Sequence, residues 1–159
     1  LPFVKGKNVL DIACGTGYGA YYLSPYCEEI IGVDISHEAI ALAKKKYSQK
    51  HLSFLQMDAH VTSFNNHAFD IVLSYETIEH LKDDKLFLSE VKRILKQDGL
   101  FFVSFPHLLW SKKYSLHNEF HFREYAATDV KKLLSPHFKY IEVLHQYRVS
   151  ASLLSGPLA

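Results

Sequence analysis

The sequence predicts an α/β fold, a doubly wound and mostly parallel sheet, from three observations. Apolar runs alternate with segments of helical periodicity along most of the chain. The first run, Val9-Leu10-Asp11-Ile12-Ala13-Cys14, leads straight into glycines at alternate positions 15, 17 and 19. Acids stand at the ends of the first three runs, as Asp11, Asp34 and Asp58. A glycine-rich turn between strand and helix lets backbone approach a ligand, and the helix aims free N–H groups at it. In a parallel sheet such a turn lies at the carboxyl edge of the strands, where nucleotide cofactors bind.

Residues 7–14 read as a central strand, apolar on both faces. A helix over 17–24 follows and ends near Ser24-Pro25, because proline disfavours helix in the residue before it. Glu28 to Asp34 is the second strand, and Ser36 is placed to cap a helix over 37–49 whose stripe is Ile40, Ala43 and Tyr47. His51 to Met57 is the third strand and Phe69 to Ser74 the fourth, entered through the Asn65-Asn66-His67 turn. The spacing of Phe87, Val91, Ile94 and Leu95 predicts a helix over 83–97, capped by Asp83 or Asp84 and stopped by Gly99. Gly99 to Phe105 is the fifth strand, with Pro106 after it. A last helix spans 126–135 before Pro136, and Phe138 to Tyr147 reads as a sixth strand. Residues 107–124 show no periodicity and are dense in aromatics and histidines, a long connection of the kind that carries function.

With 159 residues the chain is one domain, 1–159, with room for a sizeable core. It opens at Leu1 rather than Met, so a piece of a longer protein is the expectation. The net charge of +1 does not call for nucleic acid or an anionic membrane as partner. The basic runs Lys44-Lys45-Lys46 and Lys112-Lys113 read as solvated faces. No apolar run approaches the ~18 residues of a membrane span. Two cysteines, Cys14 and Cys27, have no metal spacing and make no disulfide framework, which suits a cytoplasmic protein. Nothing in the pattern specifies an oligomeric state.

Gly15-x-Gly17-x-x-Ala20 also fits a dinucleotide fingerprint, but three carboxylates and no Lys or Arg in the turn would repel a pyrophosphate. A ligand with a sulfonium, an ammonium and ribose hydroxyls suits them, which describes S-adenosyl-L-methionine. Val9 to Gly17 resembles the first motif of the class I S-adenosylmethionine-dependent methyltransferases, and the resemblance runs from about Lys7 to Tyr147. Ala13 stands where that family often has a glycine. The resemblance implies a cofactor site of Asp11, Ala13, Gly15, Gly17, Asp34, Ile35, Asp58, Ala59 and Ser74. Within it Asp34 would take the ribose hydroxyls and Ile35 the adenine face. Asp58 would accept the adenine amino group, and the N–H of Ala59 would meet the ring. Asp58 could instead cap the turn after its strand. The family's further antiparallel strand is expected to be missing or truncated, since Ser150 to Ala159 is short and contains Ser-Gly-Pro.

After the fourth strand, Glu76, Glu79 and His80 are spaced i, i+3, i+4, which on one helical turn puts them on one face. Two carboxylates and an imidazole suit a divalent ion, Mg²⁺ or Mn²⁺. The pattern is similar to the Glu-x-x-Glu-His of ubiquinone-pathway O-methyltransferases and small-RNA 3′-end 2′-O-methyltransferases, which adds a further histidine, here His117 or His121. Without metal, as in many members of the wider family that it resembles, the glutamate would be buried in hydrogen bonds that shape the loop; Glu79, His80 and His121 are the catalytic candidates, with His121, or His107, as the general base and Tyr75 or Tyr125 as walls. Phe120, Phe122, Tyr125 and Trp110 suit a flat apolar substrate. The expected activity is methyl transfer to a hydroxyl or amine of a small metabolite. The alternatives are a metal-assisted RNA 3′-end enzyme, a cofactor-binding module without catalysis and, more remotely, a nicotinamide reductase.

Overall fold

The computed structural model of the protein describes residues 2–106, 108 and 119–144. Five strands make one parallel sheet: β1 (Asn8–Ile12), β2 (Glu29–Asp34), β3 (Leu52–Gln56), β4 (Phe69–Tyr75) and β5 (Leu95–Ser104). The order across the sheet is β3-β2-β1-β4-β5, so the chain reverses direction of travel at β1. The α-helices that lie wholly within the described residues are α1 (Tyr18–Leu23), α2 (His37–Lys46), α3 (Asp84–Ile94) and α4 (Ala127–Leu134).

Both faces of the sheet are covered, because successive side chains of a strand point to opposite sides. Leu10, Val72 and Phe69 join Phe87, Leu88, Val91 and Ile94 of α3 and Val130 and Leu134 of α4 in one core cluster. Val9, Ile71 and Leu73 join Ala20, Ile40 and Ala43 of α1 and α2 in the other. Each wholly buried Leu, Ile or Phe contributes roughly 1.5–3 kcal/mol. Asp11 falls on the α1 side, two residues after Val9.

Capping follows the sequence. The Ser36 Oγ accepts the Ala39 N–H at 3.1 Å, and Asp83 Oδ1 accepts the Leu86 N–H at 2.9 Å. Pro25 opens a 3-10 turn, Ser24–Tyr26, where α1 stops. Three boundaries differ from expectation. Helix α2 ends at Lys46 rather than near 49, with Tyr47 already extended. Helix α3 ends at Ile94 rather than 97, and Leu95 both completes its apolar stripe and opens β5, opposite Phe69. The register then shifts, so that Ile71 meets Leu100. Gly99 sits inside this irregular stretch instead of stopping a helix. A Cβ there would lie 2.9 Å from the Asp70 carbonyl, and only glycine allows that approach.

Residues 138–144 of the expected sixth strand are irregular. Phe138 stacks on Phe101 with ring centroids 5.5 Å apart, so the segment packs by its side chains and not by strand pairing. Residues 145–147 and Ser150 to Ala159, with the question of an antiparallel strand, lie outside the described residues. No helix among the described residues is long and apolar enough to cross a membrane.

Candidate functional site

The backbone leaves β1 through three left-handed residues, Ala13 (φ 61°), Gly15 (φ 53°) and Gly17 (φ 81°). A side chain at Gly17 has no room, since its Cβ would fall 2.5 Å from the Phe54 ring. Ala13 takes the same kind of conformation with a Cβ, which costs about 1–2 kcal/mol. Beneath the turn Asp11 is only 5% exposed. Burial pushes its carboxyl up to about 7, opposed by the Ala20 N–H and reinforced by the charge of Asp34.

Asp34, at the end of β2, holds the turn. Its Oδ2 accepts the Gly15 N–H at 2.8 Å and its Oδ1 the Ser36 N–H at 2.9 Å. Each oxygen keeps a lone pair for a ligand. Asp58, beyond β3, does cap its turn. Its Oδ1 accepts both the backbone N–H of His60 and the His60 ring Nδ1–H, each at 2.8 Å. These two donors hold its carboxyl below the usual range. The turn is tied to α3, because Glu90 Oε1 accepts the Thr62 N–H at 2.7 Å and Arg93 donates to the carbonyls of Thr62 and Phe64.

A cavity of about 300 Å³ opens at this edge of the sheet. Ala13, Asp34 and Ile35 form one side, Met57, Asp58, Ala59 and His60 the next, and His80, Leu81, Lys82 and Phe122 the third. Six of the residues assigned from sequence thus meet around one space: Ala13, Asp34, Ile35, Asp58, Ala59 and His80. Asp11, in β1, and Gly15 and Gly17, in the turn that follows, are not among the residues that line it. Ser74 does not line it: it is wholly buried in β4 opposite Val103. His60, Leu81 and Lys82 were missed. The Asp58-x-His60 spacing at a strand end was the available signal for the first of them, since a side chain two residues on can bond back to an Asx turn.

After β4 the chain turns at Glu76 (φ 51°), whose Oε1 accepts the Ser104 hydroxyl at 2.6 Å. The short 3-10 turn Ile78–His80 comes next. The expected single helical face for Glu76, Glu79 and His80 is therefore not formed: the left-handed residue turns Glu76 toward β5. Instead Glu79, His80 and His121 come together, with one ligand-capable atom of each within 4.8 Å of the others. Glu79 is 1% exposed and neither carboxylate oxygen has a hydrogen-bond partner from another described residue. Burial pushes its carboxyl up, opposed first by its own backbone N–H; the charge of Glu76 adds to the rise and His80 pulls the other way. The His80 Nδ1–H donates to the Phe120 carbonyl at 3.0 Å, which leaves its Nε2 lone pair as the reactive one. The His80 and His121 rings stand edge to face at 4.8 Å.

Residues 119–125 reach this cluster because the Glu79 carbonyl accepts the Phe122 N–H at 2.8 Å. Farther along, Asp84 accepts the Tyr125 hydroxyl at 2.9 Å and pairs with Arg123. Tyr125 is thus 6% exposed and part of the core instead of a substrate wall, whereas Tyr75 is half exposed at the end of β4. His107, Trp110 and His117 lie outside the described residues.

Residues 10–103 match the family model described as a methyltransferase domain. A probable S-adenosylmethionine-dependent methyltransferase of Mycolicibacterium smegmatis is 31% identical over 81% of this chain and 50% of its own length. The probable S-adenosylmethionine-dependent methyltransferase CRG1 of Saccharomyces cerevisiae is 32% identical over 90% of this chain and 58% of its own. The chain thus spans about half the length of the relatives it matches. Among solved structures, the YcgJ protein of Bacillus subtilis superposes with a TM-score of 0.74 at 28% identity, covering 83% of this chain and 61% of that one. Motif, sheet order and relatives agree, and the chain belongs to the methyltransferase-domain family of class I S-adenosylmethionine-dependent methyltransferases.

Proposed function

We propose that the protein transfers a methyl group from S-adenosyl-L-methionine to a hydroxyl or amine of a small metabolite in the cytoplasm. The observation that carries the acceptor reading is the buried Glu79 carboxylate, with no hydrogen-bond partner from another described residue, beside two imidazoles, one of which lines the cavity. An uncharged polar acceptor must lose a proton as it is methylated, and such a cluster is built to take one.

The methyl donor, when bound, supplies an electrophilic methyl on a sulfonium. The chain's own residues do the rest. Asp34 accepts the ribose hydroxyls with its remaining lone pairs, and Ile35, 66% exposed, covers the adenine face. Asp58 would accept the adenine amino group through Oδ2, and Asp11, in its ionised form, would add negative charge that favours the cationic end. His121 takes the acceptor proton and Glu79 stabilises the resulting imidazolium.

A second reading adds a divalent metal. Glu79, His80 Nε2 and His121 fit it as a carboxylate and two nitrogens, and the Phe120 carbonyl fixes the His80 tautomer as an outer-shell partner would. Bound there, a metal would lower the pKa of an acceptor hydroxyl. Glu76 is not among those ligands, and His117 lies outside the described residues.

The test is transfer of labelled methyl to a panel of phenols, catechols, alcohols and amines, with and without chelator and with Glu79→Gln. Turnover that resists chelator and falls in the variant supports the metal-free reading, and turnover abolished by chelator supports the second. Binding of S-adenosylhomocysteine without turnover on any member of the panel would sink the small-metabolite reading and favour a binding module.

A further inference from the structure

Asp58 is half exposed on its side chain, yet its carboxylate is not free to rotate. One oxygen, Oδ1, is taken twice by the same residue: by the His60 backbone N–H and by the His60 ring, each at 2.8 Å. Oδ2 has no partner among the described residues. The His60 Nε2 is shut away from solvent and also bonds to nothing described, so the ring's polar contact is its bond to Asp58. His60 is itself held, since the Val61 N–H donates to the Asp58 carbonyl at 3.2 Å and Thr62 is bonded to Glu90.

We infer that His60 is a positioning residue for base recognition: it locks the Asp58 carboxylate so that Oδ2 alone faces the cavity and selects an amino-bearing purine over an oxo-bearing one. The physical reason is the acceptor-only character of a carboxylate oxygen. It accepts an exocyclic N–H but repels a carbonyl at the same place. Discrimination depends on the oxygen being fixed, because a carboxylate that can swing away avoids the repulsion and loses the attraction. His60 fixes it with two charge-assisted bonds from one residue, one of which a backbone would make in any case. The ring bond is therefore the adjustable part. This inference rests on the proposed seat of adenine at Asp58.

The experiment is calorimetric titration of the full chain with S-adenosylhomocysteine and with its hypoxanthine counterpart, S-inosylhomocysteine. The variants are His60→Ala and His60→Asn, the latter because an Asn amide can place a donor near the position of Nδ1. The parent should prefer the adenosyl compound. His60→Ala should weaken adenosyl binding roughly tenfold, the loss of one charge-assisted hydrogen bond, and inosyl binding by less than about twofold. His60→Asn should restore most of the preference. Equal weakening of both compounds in His60→Ala would reduce His60 to a structural role and overturn the inference. So would an unchanged preference in that variant. A parent that binds both compounds alike would overturn the seat of adenine at Asp58 itself, and with it the inference; the two failures are told apart by the parent's own ratio.

Discussion

The Asp34 carboxylate, at the end of β2, accepts the N–H of Gly15, nineteen residues earlier, at 2.8 Å. The acid that is proposed to hold ribose therefore also holds the glycine turn in its left-handed shape. Asp34→Ala should cost cofactor binding on the order of 2–3 kcal/mol, since a charge-assisted bidentate contact is lost. Titration with S-adenosylhomocysteine measures it. Binding as tight as the parent's would show that the cofactor does not sit on this residue.

Asp11 ties stability to pH. Its carboxyl is raised in the fold from 3.8 to about 7. Between those values the unfolded chain has released a proton that the folded chain keeps, so stability falls as pH rises through the window and levels above it. Asp11→Asn should flatten that slope in thermal melts recorded from pH 4 to pH 8. An unchanged slope would mean that the buried carboxyl is not its source.

Glu79 should trade stability for activity. A buried carboxyl with no partner from another described residue disfavours its own ionised form and weakens the fold at neutral pH. Glu79→Gln should raise the melting temperature while reducing methyl transfer by about a hundredfold or more, the usual scale for an acid–base group. Loss of both stability and activity would instead mark Glu79 as a structural buttress.

Gly99→Ala should destabilise the sheet by about 1–3 kcal/mol, an overpacking cost, because the new methyl would meet Leu95 at 2.8 Å and a backbone carbonyl that cannot move aside. Urea unfolding checks it. Cofactor affinity should be unchanged in the folded fraction, since this stretch precedes the pairing that carries the site.

Most of the architecture was legible because parallel strands buried on both faces write themselves as apolar runs, and the acids at Asp34 and Asp58 mark where the runs end. The boundary between α3 and β5 was not, because Leu95 satisfies the helical stripe and the strand at once. The constellation around Glu79 was only half legible. Spacing put Glu76, Glu79 and His80 on one helical face, but no periodicity signals a left-handed residue such as Glu76, and that one dihedral exchanges Glu76 for His121. Hydrophobic periodicity does not mark His60, because its partner is a side-chain oxygen and not a core; only the Asp58-x-His60 spacing at the strand end does.

Glu90 and Arg93 clamp the turn that carries Asp58 and His60 to α3, while the segment bearing Phe122 and His121 hangs on the Glu79 carbonyl and on Asp84. The two walls of one cleft thus hang from the same helix, one at Asp84 in its first turn and the other at Glu90 and Arg93 near its end. A segment 119–125 exchanged as a unit that keeps the N–H to Glu79 and the Arg–Tyr grip on Asp84 would alter the Phe122 wall of the cavity, while Asp34 and Asp58 stay held by their own bonds on the other walls.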